Sequence, residues 1–128
     1  MSYLTVEMIN KLRNAGFSFP QMEENLCNPG NVFFYEDCEY VIGGKCDGLP
    51  LSALDLKAAQ EGIWLPNTDD LMLWIQWKAD KDVSISYDNE KMYFYGEARG
   101  KDGNVYTGSG ADLLCCLYKL ALKICKNK

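Results

Sequence analysis

The sequence predicts a single α+β domain over residues 1–128, an antiparallel β-meander packed with helices. Three observations carry this reading. Residues 83–87 and 91–98 alternate side-chain character, with turn residues after each run, as paired antiparallel strands do. Segments near both ends, and one over residues 71–77, repeat their apolar residues at intervals of three and four, the period of a helix with a buried face. No repeat, linker or low-complexity stretch separates these runs, and 128 residues is the length of one ordinary domain.

The elements follow in order. Leu4, Met8, Ile9, Leu12 and Ala15 share one face of a helix from Thr5 to Ala15, with Thr5 as N-cap and Gly16 in the left-handed position beyond its end. Residues 17–30 are irregular, with Pro20 and an Asn28-Pro29-Gly30 turn. Val32 to Tyr35 and Tyr40 to Ile42 form two short strands around the acidic tip Glu36-Asp37-Cys38-Glu39. After a loop over residues 43–50, Ser52 and Asp55 have the spacing of a capping box for a helix that reaches Glu61 and stops at Gly62. Pro66 with Asn67 or Thr68 opens the next helix, and Asp69 and Asp70 lie in its first turn, where the helix dipole favours anions. That helix has Leu71, Trp74 and Ile75 on one face and Leu73 and Trp77 on another, which predicts burial on two sides. The meander spans residues 83–107, and the last helix runs from Ala111 to Cys125 with Leu113, Leu117, Leu120 and Ile124 inward. Lys119, Lys123, Lys126 and Lys128 suit its exposed side and C-terminal end.

Composition prunes the functional classes. A chain of this length buries roughly two thirds of its unfolded surface and needs no staples. No apolar run approaches the ~20 residues of a membrane span. The N-terminus has neither the basic flank nor the apolar run of a signal peptide, so cytoplasmic residence is expected. The net charge of −5 disfavours a phosphate backbone as partner. Histidine is absent, which removes Ser-His-Asp and Cys-His catalysis and His-containing zinc sites. The six cysteines show no Cys-x2-Cys pair and read as buried free thiols. No cofactor and no metal is expected.

Gly108-Ser109-Gly110 stands between a strand and a helix N-terminus, where backbone N–H groups can hold an anion. Against a phosphate site, no Walker spacing or following lysine is present, Asp112 would repel the ligand, and a Ser109–Asp112 capping box explains the pattern alone. Tyr93, Tyr95 and Tyr106 read as one face of the meander. Covered by the helix of Trp74 and Trp77, that face makes an α-β-α sandwich; left open, it is a flat recognition surface with large contact area and polar tips. Glu36, Asp37 and Glu39 beside Asp47, and Asp69 with Asp70, are the carboxylate clusters, and neither has the spacing of a calcium loop.

At Ile63-Trp64-Leu65-Pro66-Asn67-Thr68-Asp69-Asp70-Leu71-Met72-Leu73-Trp74-Ile75, and again at Gly108-Ser109-Gly110-Ala111-Asp112-Leu113-Leu114, the chain resembles small phage and prophage proteins. In that group a similar segment precedes a short meander and a closing helix, and some members are described as α-β-α sandwich domains. The likeness covers the last half of the chain. It implies an accessory protein of a mobile element and carries over no catalytic residue. The expectation is a non-enzymatic binding protein that acts on a protein partner and self-associates, with Trp74, Trp77, Tyr93, Tyr95 and Tyr106 in or just beneath its surface. Two alternatives stand beside it. One is a nucleotide-binding protein that uses Gly108 to Gly110, and the other is a hydrolase that uses Glu36, Asp37 or Glu39.

Overall fold

In a computed structural model, residues 3–19, 30–42, 53–79, 82–100 and 103–126 are described. The turn at Asn28 and Pro29, the loop 43–50 with its Asp47, the Ser52 half of the capping box, and Cys27 and Cys46 lie outside them. The α+β class is borne out, and the chain forms two compact units, Ser18–Pro66 and Met1–Phe17 with Asn67–Lys128.

The first unit is built on aromatic strands. Strands β1 (Val32–Tyr35) and β2 (Cys38–Val41) pair antiparallel through a two-residue turn. Glu36 and Asp37 take φ of 50° and 63° there, the left-handed values that such a hairpin turn requires. Helix α2 (Ala53–Glu61) ends at Gly62, where a Cβ would lie 2.5 Å from the Ala58 carbonyl oxygen. The chain then enters β3 (Ile63–Leu65), a strand absent from the sequence reading, which pairs antiparallel with the other edge of β1. Phe33 stands opposite both Tyr40 and Trp64, so these three share the face that buries Ile42 and Ala59. Asp55, 1% exposed in α2, accepts a 2.6 Å hydrogen bond from the Tyr40 hydroxyl. The Trp64 indole N–H is buried without a hydrogen-bond partner among the described residues.

The second unit carries the predicted meander. Helix α1 (Val6–Asn14) is N-capped by Thr5, whose hydroxyl accepts from the Met8 N–H, and Gly16 has φ 107° beyond its end. Helix α3 (Thr68–Lys78) opens with a complete capping box between Asn67 and Asp70. Strands β4 (Val83–Asp88), β5 (Tyr93–Arg99) and β6 (Val105–Gly110) form an antiparallel sheet in that order. Helix α4 (Leu113–Lys126) lies on β5 and β6, and α3 and α1 pack on α4.

Two-sided burial therefore belongs to α4 and not to α3. Leu114, Cys116, Leu117, Leu120, Ala121, Ile124 and Cys125 of α4 are all buried. On α3 only Leu71, Trp74 and Ile75 are, and Leu73 and Trp77 are exposed. Each fully buried Leu or Ile is worth about 1.5–3 kcal/mol relative to exposure, so α3 is anchored firmly by one face alone. The layer order of this unit is sheet, α4, then α3 with α1, rather than a sheet held between two helical layers. Among the described residues, no helix is long and apolar enough to cross a membrane.

Candidate functional site

Register assigns the sheet's two faces. Ile85, Gly96 and Gly108 lie in one cross-strand row and Val83, Ala98 and Tyr106 in the next, and both rows face α4. Ser84, Ser86, Asp88, Tyr93, Tyr95, Glu97, Thr107 and Ser109 occupy the opposite face. Tyr93 and Tyr95 are thus together on the open face, whereas Tyr106 is on the helix-covered one. The expected three-tyrosine surface is corrected to two.

Those two tyrosines border a groove. Asp88 ends β4 opposite Tyr93, and Ser86 stands opposite Tyr95. The connection between the strands is fixed by Asp88 itself. Its Oδ1 accepts from the N–H groups of Glu90 at 2.9 Å and Lys91 at 3.0 Å, and its carbonyl accepts from Met92 at 2.8 Å. Met92 closes this loop at φ 55°, a left-handed value uncommon outside glycine and asparagine. Asp88 Oδ2 accepts no hydrogen bond among the described residues. Ser86, Asp88, Glu90, Tyr93 and Tyr95 line the resulting open groove of about 730 Å³. Tyr95 is 37% exposed. Chemically the groove brings carboxylates and aromatic rings into one lining, a combination that attracts cations.

The remaining sequence candidates fall elsewhere. Gly108, Ser109 and Gly110 belong to β6 itself. A Cβ on Gly108 would lie 2.6 Å from the backbone nitrogen of Leu120, and one on Gly110 would lie 2.8 Å from that of Cys116. The glycines serve close strand–helix contact, and no space for a phosphate separates them from α4. The helix start is satisfied by Asp112, whose Oδ1 accepts from the Cys115 N–H at 2.7 Å, so Asp112 takes the capping role assigned to Ser109. Burial, followed by the Asp112 charge, pushes the Cys115 thiol up.

Trp74 is fully buried and rests on the Phe17 ring, with centroids 4.7 Å apart. Trp77, on the outer face of α3, is 59% exposed and Leu73 is 60% exposed. The Lys78 ammonium lies 4.7 Å from the Trp77 ring centroid. Glu36, Asp37 and Glu39 are exposed on the β1–β2 hairpin. Asp69 is exposed, and Asp70 is held by its capping box, with burial as the main influence raising its carboxyl. Cys38 is exposed, which corrects its expected burial, and its thiol donates to the Tyr35 carbonyl at 3.4 Å. No group of three potential metal ligands occurs among the described residues.

Compared with family models, curated proteins and solved structures, the chain finds no significant match.

Proposed function

We propose that this chain is a non-enzymatic recognition protein that binds an extended, basic segment of a protein partner along the open face of the β4–β5–β6 sheet. The accessory role implied by the resemblance to mobile-element proteins is consistent with such a task. The observation that carries the reading is the groove between Asp88, Glu90, Tyr93 and Tyr95. Lysine and arginine side chains pair their charge with carboxylates and lay their stems or guanidinium planes on aromatic faces. A tyrosine surface adds contact area at small conformational cost. The Asp88 carboxylate is already oriented by its loop, so little ordering remains to be done on binding.

Fluorescence anisotropy with labelled lysine- and arginine-rich octapeptides, and with glutamate-substituted controls, tests this. Asp88→Asn keeps an oxygen for the loop N–H groups and removes the charge. It is expected to weaken basic-peptide binding by roughly tenfold, the loss of one partly desolvated charge pair, with no fall in melting temperature. Tyr95→Ala is expected to weaken binding as well. Equal affinity for basic and acidic peptides would sink the reading.

A further inference from the structure

We propose that the cleft between the start of β6 and the end of α4 binds a small phosphate monoester with an apolar body. Asn104, Val105, Tyr106, Lys123 and Lys126 line an open cleft of about 400 Å³ there, within the ~300–1,000 Å³ of small-molecule sites. The packing of α4 brings both lysines to it. The Cys116 thiol donates to the Gly108 carbonyl at 3.5 Å, and further along the helix the Lys123 ammonium donates to the Thr107 hydroxyl at 3.5 Å. Helix α4 therefore runs back along β6, with its last turn over the start of the strand. At about 100° per residue, Lys123 stands only about 20° around the helix from Cys116, and Lys126 about 60° beyond Lys123, away from the buried side. Lys119 falls between the two lysines, so all three form one stripe beside the covered face.

The charge of that stripe is not neutralised from within. Helix α4 carries no acidic residue from Leu113 to Lys126. Among the described residues, neither Lys123 nor Lys126 makes an ion pair. In a chain of net charge −5 this is a local excess of positive charge. The helix C-terminus opposes an anion with about half a negative charge, and two ammonium groups outweigh it about fourfold. Compensation of the dipole accounts for lysines in a last turn. It does not account for a cleft beside them with an apolar wall, where Val105 is 49% exposed.

Two ammonium groups match a dianion, whereas a single carboxylate would leave one of them uncompensated. A phosphate monoester carries about −1.5 to −2 charge at neutral pH, and lysine binds phosphate as a point charge. Val105 and the half-buried Tyr106 supply the wall on which the organic part of the ester rests. A long phosphate backbone fits less well, because the net negative charge of the chain repels it beyond the cleft. Both lysines are exposed, so solvent and salt weaken each attraction, and Kd is on the order of 0.1–1 mM.

Amide NMR titration of the full chain with phenyl phosphate, inorganic phosphate, benzoate and a short oligothymidylate, each to about 10 mM, spans that range. Phenyl phosphate is expected to shift the signals of Tyr106, Thr107 and Lys126 and to bind at least about fivefold more tightly than the other three. Lys123→Gln/Lys126→Gln is expected to weaken it roughly tenfold at an unchanged melting temperature, and Lys123→Arg/Lys126→Arg to retain it. Lys57→Gln, exposed on α2, is expected to leave it as it is. No saturable shift with phenyl phosphate overturns the proposal, as does undiminished binding by Lys123→Gln/Lys126→Gln. Benzoate bound as tightly removes the case for a dianion, and inorganic phosphate bound as tightly removes the case for an apolar body. Tighter binding of the oligothymidylate would make the cleft a nucleic-acid contact instead. The tyrosine groove is read as a site for cations, so these anionic probes test the cleft apart from it.

Discussion

The Tyr35 hydroxyl donates to the Glu61 carboxylate at 3.1 Å, across the join between β1 and the end of α2. Burial, then this hydrogen bond, and the negative charges of Glu36 and Glu61 push its pKa up to about 12. A tyrosine in the unfolded chain titrates near ~10. Between those values the unfolded chain releases a proton that the folded chain keeps, so fewer protons are bound after unfolding and stability falls as pH rises. The Tyr35 contribution is therefore fully present below about pH 10 and is lost towards about pH 12. Urea unfolding at neutral pH and at about pH 11 is expected to show a steeper alkaline loss for the wild type than for Tyr35→Phe. Parallel losses would mean that another group drives the alkaline limb.

Close contact between β6 and α4 is a tight constraint at the scale of elements. A methyl group on Gly108 would meet the backbone of Leu120 at 2.6 Å and of Cys116 at 3.0 Å, and helix backbone cannot rotate aside as a side chain can. Gly108→Ala is expected to cost about 1–3 kcal/mol, the range for overpacking a rigid site. Ser109→Ala, on the open face one residue along, is expected to change stability little. Chemical denaturation of the two variants decides it, and similar losses would contradict the close packing. The elements themselves were largely legible in the chain. Thr5, Asn67 and Asp70 act locally as caps, and the alternation over β4 and β5 needs no distant partner to be read. Register was harder. Arg99 and Val105 enclose a five-residue connection, which keeps odd-numbered residues of β5 opposite odd-numbered residues of β6. That parity sends Tyr106 to the helix side, because a shift of one residue exchanges faces. The three-residue strand β3 was hidden because Ile-Trp-Leu before a proline carries no period long enough to separate strand from helix lead-in. Which helix gains a second partner also lies outside local pattern: α3 and α4 are both apolar on more than one side, and only α4 is covered on both. Of the site, Tyr93 and Tyr95 were readable as a pair. The role of Asp88 as the residue that shapes the groove was not, since it depends on the pairing of β4 with β5.

Across the whole molecule, eighteen acidic and thirteen basic side chains give a net charge of −5, and no histidine is present. Both facts bear on how a basic segment would be captured. An excess of negative charge draws a cationic partner inward before contact and raises its association rate. Such steering acts through solvent, and its range shrinks from about 30 Å at 0.01 M salt to about 8 Å at 0.15 M. Contacts inside the groove, between a cation and the tyrosine faces, are short and partly desolvated, so salt reaches them less. Raising salt from about 0.02 M to about 0.3 M is thus expected to slow association several-fold while dissociation changes less. Protons are expected to act differently. Without histidine, the side-chain type that ordinarily titrates between pH 5 and 8 is missing from this chain. Affinity is accordingly expected to stay level between about pH 6 and pH 8 for a peptide that itself lacks histidine. Stopped-flow measurements over the salt series and equilibrium titrations over the pH series separate the two effects. A strong salt dependence with a flat pH profile is the signature of permanent charges at the groove. Salt-independent association would place the attraction elsewhere, in apolar contact alone, and would remove the electrostatic basis for a basic partner.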